Sequence, residues 1–250
     1  MKEFILPVRD IVVHPGLTIP LDVENLNSIV CIEEATKLKD AVNTIVLCPQ
    51  RVPSELPSNP EDIFDTGTLC EVVQVLHMPN GLVRAVFQTF DVVNLSNISV
   101  KDDIFTADVT PIEMINDATS EQTLILRDKV YTLLQNIFWC RRQKTDKAYQ
   151  LIKDYSLPAF VDSVIQIAQI KMEDRVKILR TKSWSEKLLI LLEHLTFILE
   201  TEKIESNINH RVHVQMEQSQ KMAILQEKMR AIQKEMGEDD ARGPMSGLGS

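Results

Sequence analysis

A chain of 250 residues with 44% hydrophobic and 25% charged side chains holds enough apolar material for one large or two modest cores. Its net charge of −9 argues against general nucleic-acid binding, which needs clustered Lys and Arg to neutralise phosphate. Glycine is scarce, at seven residues with three in the last eight positions, which argues against phosphate loops and dinucleotide folds.

Taken from the start, MKEFILPVRD is not a signal peptide, because Pro7, Arg9 and Asp10 interrupt its short apolar run. The run FILPV and the stretch Thr44–Cys48 read as short buried strands. Between them, Ile29, Ile32, Ala35 and Thr36 share a helical face, so a helix is expected over Asn27–Asp40. Arg51–Gly67, with three prolines, reads as a surface loop. In Thr68–Leu95, two β-branched runs flank Asn80-Gly81, a pair suited to a type I′ hairpin turn. Asp103–Ile112 reads as a further strand. These elements suggest a partly closed barrel or rolled sheet over residues 1–115.

After about Ile115 helical periods take over. Thr119 with Gln122 makes a plausible capping box for one helix, and Ser156 with Pro158 starts a second. Ser183 with Glu186 starts a third, followed by no Gly and no Pro until after Met236. Unbroken, such a helix would be on the order of 75 Å long at about 1.5 Å per residue. Leu188, Leu189, Leu191, Leu192 and Leu195 make a broad bundle-facing stripe. Ile208, Val212 and Met216 then follow at steps of four. Met222, Leu225, Met229, Ile232 and Met236 alternate steps of three and four, a short coiled-coil seam. Fold class is thus α+β: a β-rich part over 1–115, a helical bundle over 116–200, a neck helix over 201–240, and a tail over 241–250 that reads as a truncated linker or an expression scar. Met216, Met222, Ile224, Leu225, Met229, Ile232 and Met236 are the candidate surface for client or for a second copy of the helix, since flexible Met side chains repack against many shapes.

No catalytic constellation emerges. There is no Gly-Lys pair, so no P-loop, and no G-x-S-x-G elbow. His210 and His213 lack the Glu of a zinc-protease motif. His14 and His77 read as surface or capping residues, and Glu33-Glu34 as an exposed helix face whose acids diverge by about 100°. Cys31, Cys48, Cys70 and Cys140 are scattered with no C-x-x-C pair, as free thiols in a reducing compartment would be. Arg141, Arg142 and Lys144 form a small basic cluster, read as a solvated helix end. No window approaches a membrane span, because Glu193 and His194 interrupt the most apolar one. Catalytic, metal and cofactor residues are therefore expected to be none, and the location cytoplasmic.

Two separate stretches resemble one family. Leu6, Pro7, Arg9, Asp10, Val12, Pro15, Pro20, Leu21, Val23, Ser28, Ile29, Glu33 and Ala35 match the opening of the Lon protease N-terminal domain. Phe64, Gly67 and Thr68 match its F-x-x-G-T, before a hairpin around a P-[DN]-G turn. RVHVQMEQSQKMAILQEKMRAIQKEMGE is similar to the neck helix of full-length Lon. The sequence departs from the pattern at QTFDV, where the family carries E-G-x-x-R, so no ligand contact is carried over there. It also has Met222, Ala223 and Ile224 where many members have aromatics. The resemblance implies a PUA-like β-rich subdomain, recognition of unfolded or degron-bearing proteins, and a hexameric parent. It implies an ATPase domain using ATP and magnesium and a Ser–Lys serine protease domain, both beyond this chain. A stand-alone adaptor with a Lon-type domain and no protease is the alternative, set second because such proteins generally lack the long neck helix.

Overall fold

The computed structural model describes residues 2–37, 43–52, 56–79, 81–141 and 151–240, with side chains as far as 234. Six strands and five helices are described: β1 Lys2–Val8, β2 Thr18–Val23, α1 Leu26–Lys37, β3 Thr44–Pro49, β4 Thr66–His77, β5 Val83–Lys101, β6 Ile104–Pro111, α2 Glu121–Cys140, α3 Leu157–Ile167, α4 Met172–Arg180 and α5 Trp184–Asp240. Residues to Leu199 form one compact unit and those from Glu200 a second.

In the first unit the strands make one mixed sheet in the order β2-β5-β4-β3-β1-β6. The 19-residue β5 is long enough to serve three neighbours, β2 along Val83–Gln88, β4 along Val83–Asn94 and β6 along Val93–Lys101. Its added pairing with β6 rolls the sheet partway closed without making a regular barrel. β1 and β3 are parallel, while the other pairs are antiparallel. Alternation along the strands separates two cores. Leu6, Val8, Ile45, Leu47 and Phe87 pack with Cys31, Ile32 and Ala35 of α1 on one face. Ile5, Val46, Cys48 and Phe105 pack with Val176 and Leu179 of α4 on the other. Gly67 sits where β4 presses on β3: a Cβ there would lie 2.6 Å from Val46 and 2.8 Å from the Leu47 carbonyl. That contact explains the glycine of the FDTGT stretch.

A third core belongs to the helices. Val130, Leu134 and Phe138 of α2 pack with Phe160, Val161 and Val164 of α3 and with Leu188, Leu191 and Leu195 of α5. The leucine stripe is narrower than its sequence suggests, because Leu189 is 40% exposed and Leu192 half-buried. Lys187 lies fully buried beside the stripe.

Several local expectations shift. The α1 helix ends at Lys37, and residues 38–40 lie outside the described ones. The Gly81 N–H donates to the Met78 carbonyl at 3.0 Å, which makes Gly81 the last residue of its turn and not a central one. Its φ of +82° is the left-handed backbone that glycine permits; Asn80 lies outside the described residues. The α2 cap is Ser120, not Thr119: its Oγ accepts from the Thr123 N–H at 3.2 Å. Ser156 does precede α3, but its side chain makes no capping bond.

The cap of α5 is built from afar. Asp117 accepts hydrogen bonds from the Trp184 N–H at 2.9 Å, the Ser185 N–H at 3.0 Å and the Ser183 hydroxyl at 2.7 Å. The Ser183 half of the expected box also forms, to the Glu186 N–H at 3.3 Å. Burial pushes the Asp117 carboxyl upward, but these donors outweigh it and hold the group down at about 2. A carboxylate at a helix N-terminus also meets the positive end of the helix dipole. Asp117→Ala is predicted to lower stability by about 1–2 kcal/mol, the usual cost of a lost N-cap. Urea unfolding at neutral pH checks this, and an unchanged midpoint would contradict it.

Candidate functional site

The first unit carries a groove of about 740 Å³. Its origin is a parting of strands. β1 pairs with β6 only as far as Ile5 opposite Phe105, and β6 then turns toward β5, pairing Ile104 with Lys101. From Leu6 to Val8, β1 is paired with β3 alone among the described residues. Pro7 has no N–H to offer on the side left open, so that edge does not invite another strand.

Four segments wall the gap: the second half of β1, the β2–α1 connection, residues Leu56–Ser58, and the β5–β6 turn at Asp103. Asn25 fixes the start of α1 by accepting from the Asn27 N–H at 2.9 Å. Asn27 in turn donates to Asp103 at 3.1 Å, tying helix to turn. Asp22 is held by both ends of the Arg84 fork at 2.6 and 2.7 Å. The rim carries Leu26, 76% exposed, and Leu56, 59% exposed. The floor holds Gln50, only 4% exposed. Apolar rims beside polar groups held in place are features of a binding cleft of this volume.

The candidate surface chosen from sequence lies in the second unit. Met216, Met222, Ile224, Leu225, Met229 and Ile232 are all on α5 and all more than half exposed. Met236 lies beyond the residues whose side chains are described. None of the six described side chains lines the groove. Sequence reasoning missed the groove because it arises from where two strand pairings stop, which no periodicity records. The exposed Leu26 and Leu56, apolar residues beside loops, were its only local signal.

The other titratable residues do not assemble a reaction centre. Glu34 pairs with Lys37 at 2.9 Å, while Glu33 lies 4.0 Å from His77. Both acids are half-buried, not on the exposed face expected for them. His213 sits 3.4 Å from Glu217 on the exposed helix. Burial pushes the Cys31 and Cys70 thiols up to about 12, so they stay protonated. Among the described residues no group of His, Cys, Asp and Glu has the arrangement of a metal site, and no helix is long and apolar enough to cross a membrane. Arg142 and Lys144 lie outside the described residues.

His14 corrects its surface assignment. It is fully buried, in the loop between β1 and β2. Its ring Nδ1 bonds the Asp162 carboxylate, and its backbone N–H donates to the same group at 3.2 Å. The ring lies against Trp184, with centroids 5.8 Å apart. Lys187, also fully buried, sits 5.0 Å over the Trp184 ring and donates to the Leu179 carbonyl at 3.0 Å. Burial lowers the His14 imidazole below its ordinary range, the Lys187 charge adds to this, and Asp162 opposes it. Burial likewise brings Lys187 down to about 7, with Asp162 only partly restoring it. This is a structural joint, closed to solvent.

A model of the family described as the ATP-dependent protease La (LON) substrate-binding domain matches residues 4–196. The chain is 29% identical over 239 residues to the Lon protease of Escherichia coli strain K12, covering 95% of this chain and 30% of that one. It is 30% identical over 239 residues to Lon protease 1 of Myxococcus xanthus, and 28% identical over 236 to the Lon protease of Buchnera aphidicola subsp. Acyrthosiphon pisum. It thus spans about 30% of the length of the curated relatives it matches. In fold it is similar to the N-terminal domain of Mycobacterium avium complex Lon protease, with a TM-score of 0.57 and 15% identity over 78% of this chain and 98% of that one.

The buried joint makes a pH prediction. Lys187 has a folded value below its ordinary 10.5, so between about pH 7 and 10 the unfolded chain binds more protons than the folded one. Stability from this group therefore rises with pH through that window. His14 acts in the same direction, its contribution falling away as pH drops through and below 6.5. Lys187→Met keeps the volume and removes the titration, so its melting temperature should climb less between pH 7 and 10 than that of the unaltered protein. Equal slopes would show that the buried amine does not titrate there.

Proposed function

Because the chain belongs to the Lon substrate-binding domain family, we propose that it is the client-holding front end of an ATP-dependent protease. In this reading it captures extended segments of misfolded or regulatory, degron-bearing proteins in the cytoplasm. The captured chain passes to an ATPase, which uses ATP and magnesium, and to a protease with a Ser–Lys dyad, both carried by the rest of a longer polypeptide. This part performs no chemistry of its own.

The observation that carries the reading is the groove between β1 and the β5–β6 turn. It is lined by apolar side chains interleaved with polar ones, and two of its acids, Asp22 and Asp103, are tied to Arg84 and Asn27. An extended unfolded segment needs such a place, where apolar side chains can leave water without meeting a fixed sequence of partners.

The exposed Met222, Leu225, Met229 and Ile232 serve a second purpose in this proposal. At alternating steps of three and four they suit pairing with the same helix of another subunit, which helps organise a hexamer. A seam of barely two heptads is marginal alone, so pairing becomes effective when a ring of ATPase domains gathers the copies.

Leu26→Glu and Leu56→Glu sit on exposed positions and should fold normally. Each is predicted to weaken binding of fluorescein-labelled, reduced and carboxymethylated lactalbumin by about 1–2 kcal/mol. Met222→Glu with Met229→Glu should leave that affinity alone and reduce self-association in sedimentation. If the groove variants bind normally while the seam variant does not, clients sit on the helix. Blotting extracts of the source cells with an antibody to this chain tests the longer polypeptide: a band far heavier than 28.5 kDa is expected. A sole band at that mass would favour a stand-alone adaptor.

A further inference from the structure

Among the described residues, two buried side-chain atoms have no hydrogen-bond partner: His14 Nε2 and Gln50 Oε1. They differ in what faces them. The His14 ring is enclosed by Trp184 and Asp162 in the joint already described. Gln50 is on the floor of the groove.

Gln50 is placed there rigidly. It follows β3, its N–H donates to the Val8 carbonyl at 3.0 Å, and it bridges to Ile63 across the chain. Its main chain is thus satisfied by strand-like bonding. Its side chain is 4% exposed, yet no protein donor reaches its oxygen. A buried acceptor without a donor is a standing cost to a fold, and native cores seldom carry one without a use. The oxygen is closed off in the unoccupied protein, and a turn about the broad last torsion of the glutamine exchanges it with the amide nitrogen and presents it to the groove.

We propose that the Gln50 carboxamide is the polar anchor of the groove, accepting a main-chain N–H of an extended client segment. This rests on the reading of the groove as the client site. The donor it calls for is common to every residue but proline, so the anchor holds any extended chain and demands no side chain. In an extended segment alternate N–H groups point the same way, so one of them meets Gln50 whichever residues flank it. The apolar rim at Leu26 and Leu56 then adds a preference for bulk without a sequence code. Gln50 is a positioning residue for the client, and it stabilises the bound state at the expense of the free one.

The test uses the whole chain and a short fluorescein-labelled peptide of Leu, Val and Ser, beside the same peptide N-methylated at every residue. The unaltered protein should bind the parent peptide about tenfold more tightly than the methylated one. Gln50→Met should bind both alike, with the parent weakened about tenfold. The same variant should melt about 2–4 °C higher, because the orphan oxygen is gone. A purely structural glutamine would give the opposite: a lower melting temperature and unchanged discrimination between peptides. Equal binding of both peptides by the unaltered protein overturns the proposal without any variant. If Gln50→Met changes nothing while Leu26→Glu abolishes binding, the anchor is wrong and the groove stands. If neither peptide binds at all, the groove is not the client site and the anchor falls with it.

Discussion

The first unit depends on how one loop is held. Residues Arg9–Leu17, between β1 and β2, are gripped from two sides. The Thr68 hydroxyl donates to the Val13 carbonyl at 2.6 Å and the Thr89 hydroxyl to the His14 carbonyl at 3.0 Å, both from the sheet. From the helices, Asp162 takes the His14 ring and N–H, and Arg175 donates to the Asp10 carbonyl at 2.9 Å. Irregular backbone can be buried only if its polar groups find partners. Here the partners come from both layers, so the loop that needs them also joins sheet to bundle. Arg180 adds a second tie, from α4 to Asp65 and Thr66 at the start of β4. With those ties in place, the apolar contacts of Val176 and Leu179 on the sheet are held in register.

The groove follows from where a strand begins. β6 starts at Ile104, directly after its turn from β5, so β1 has no β6 partner beyond Ile5 and the sheet stays open beside Leu6–Val8. The opening is therefore a product of topology, and its walls are rigid for reasons unrelated to binding. α1 is set against β1 by Cys31, Ile32 and Ala35, and the Cys31 thiol donates to the Ile5 carbonyl at 3.5 Å. A cleft framed by elements already fixed by a core needs little reordering when filled, which keeps the entropic cost of binding low.

What could be read from sequence was local and periodic. The α1 face, the β4–β5 hairpin, β6 and the long α5 all announce themselves through spacing, and the structure has each of them. β2 and α4 did not, because TIPLDV alternates too weakly and MEDRVKILR is too short and charged to stand out. Capping erred by one residue at Thr119 because Ser120 is as good an acceptor and sits where the helix starts. The features that matter most were out of reach. Asp117 caps a helix 67 residues ahead, and His14 meets Asp162 across 148 residues. Neither a lone acid nor a lone histidine carries any mark of its partner in sequence. The groove was invisible for the same reason, while the exposed α5 seam was conspicuous, so sequence drew attention to the helix first.

The two surfaces differ in kind, and that difference fits a division of labour. The groove is concave, framed by four segments, and holds a buried acceptor that no protein group answers. The α5 seam is an exposed stripe of methionine and aliphatic side chains on a single helix. A client that must be held without regard to sequence gains from a main-chain anchor, because apolar contact alone fixes neither register nor direction. A copy of the same helix needs no such anchor, since the repeat of the stripe sets the register by itself. In the proposed reading, the polar orphan therefore belongs with the client and the periodic stripe with the assembly. On that proposal one unit grips unrelated substrates while the other sets its neighbours, with neither task constraining the residues of the other.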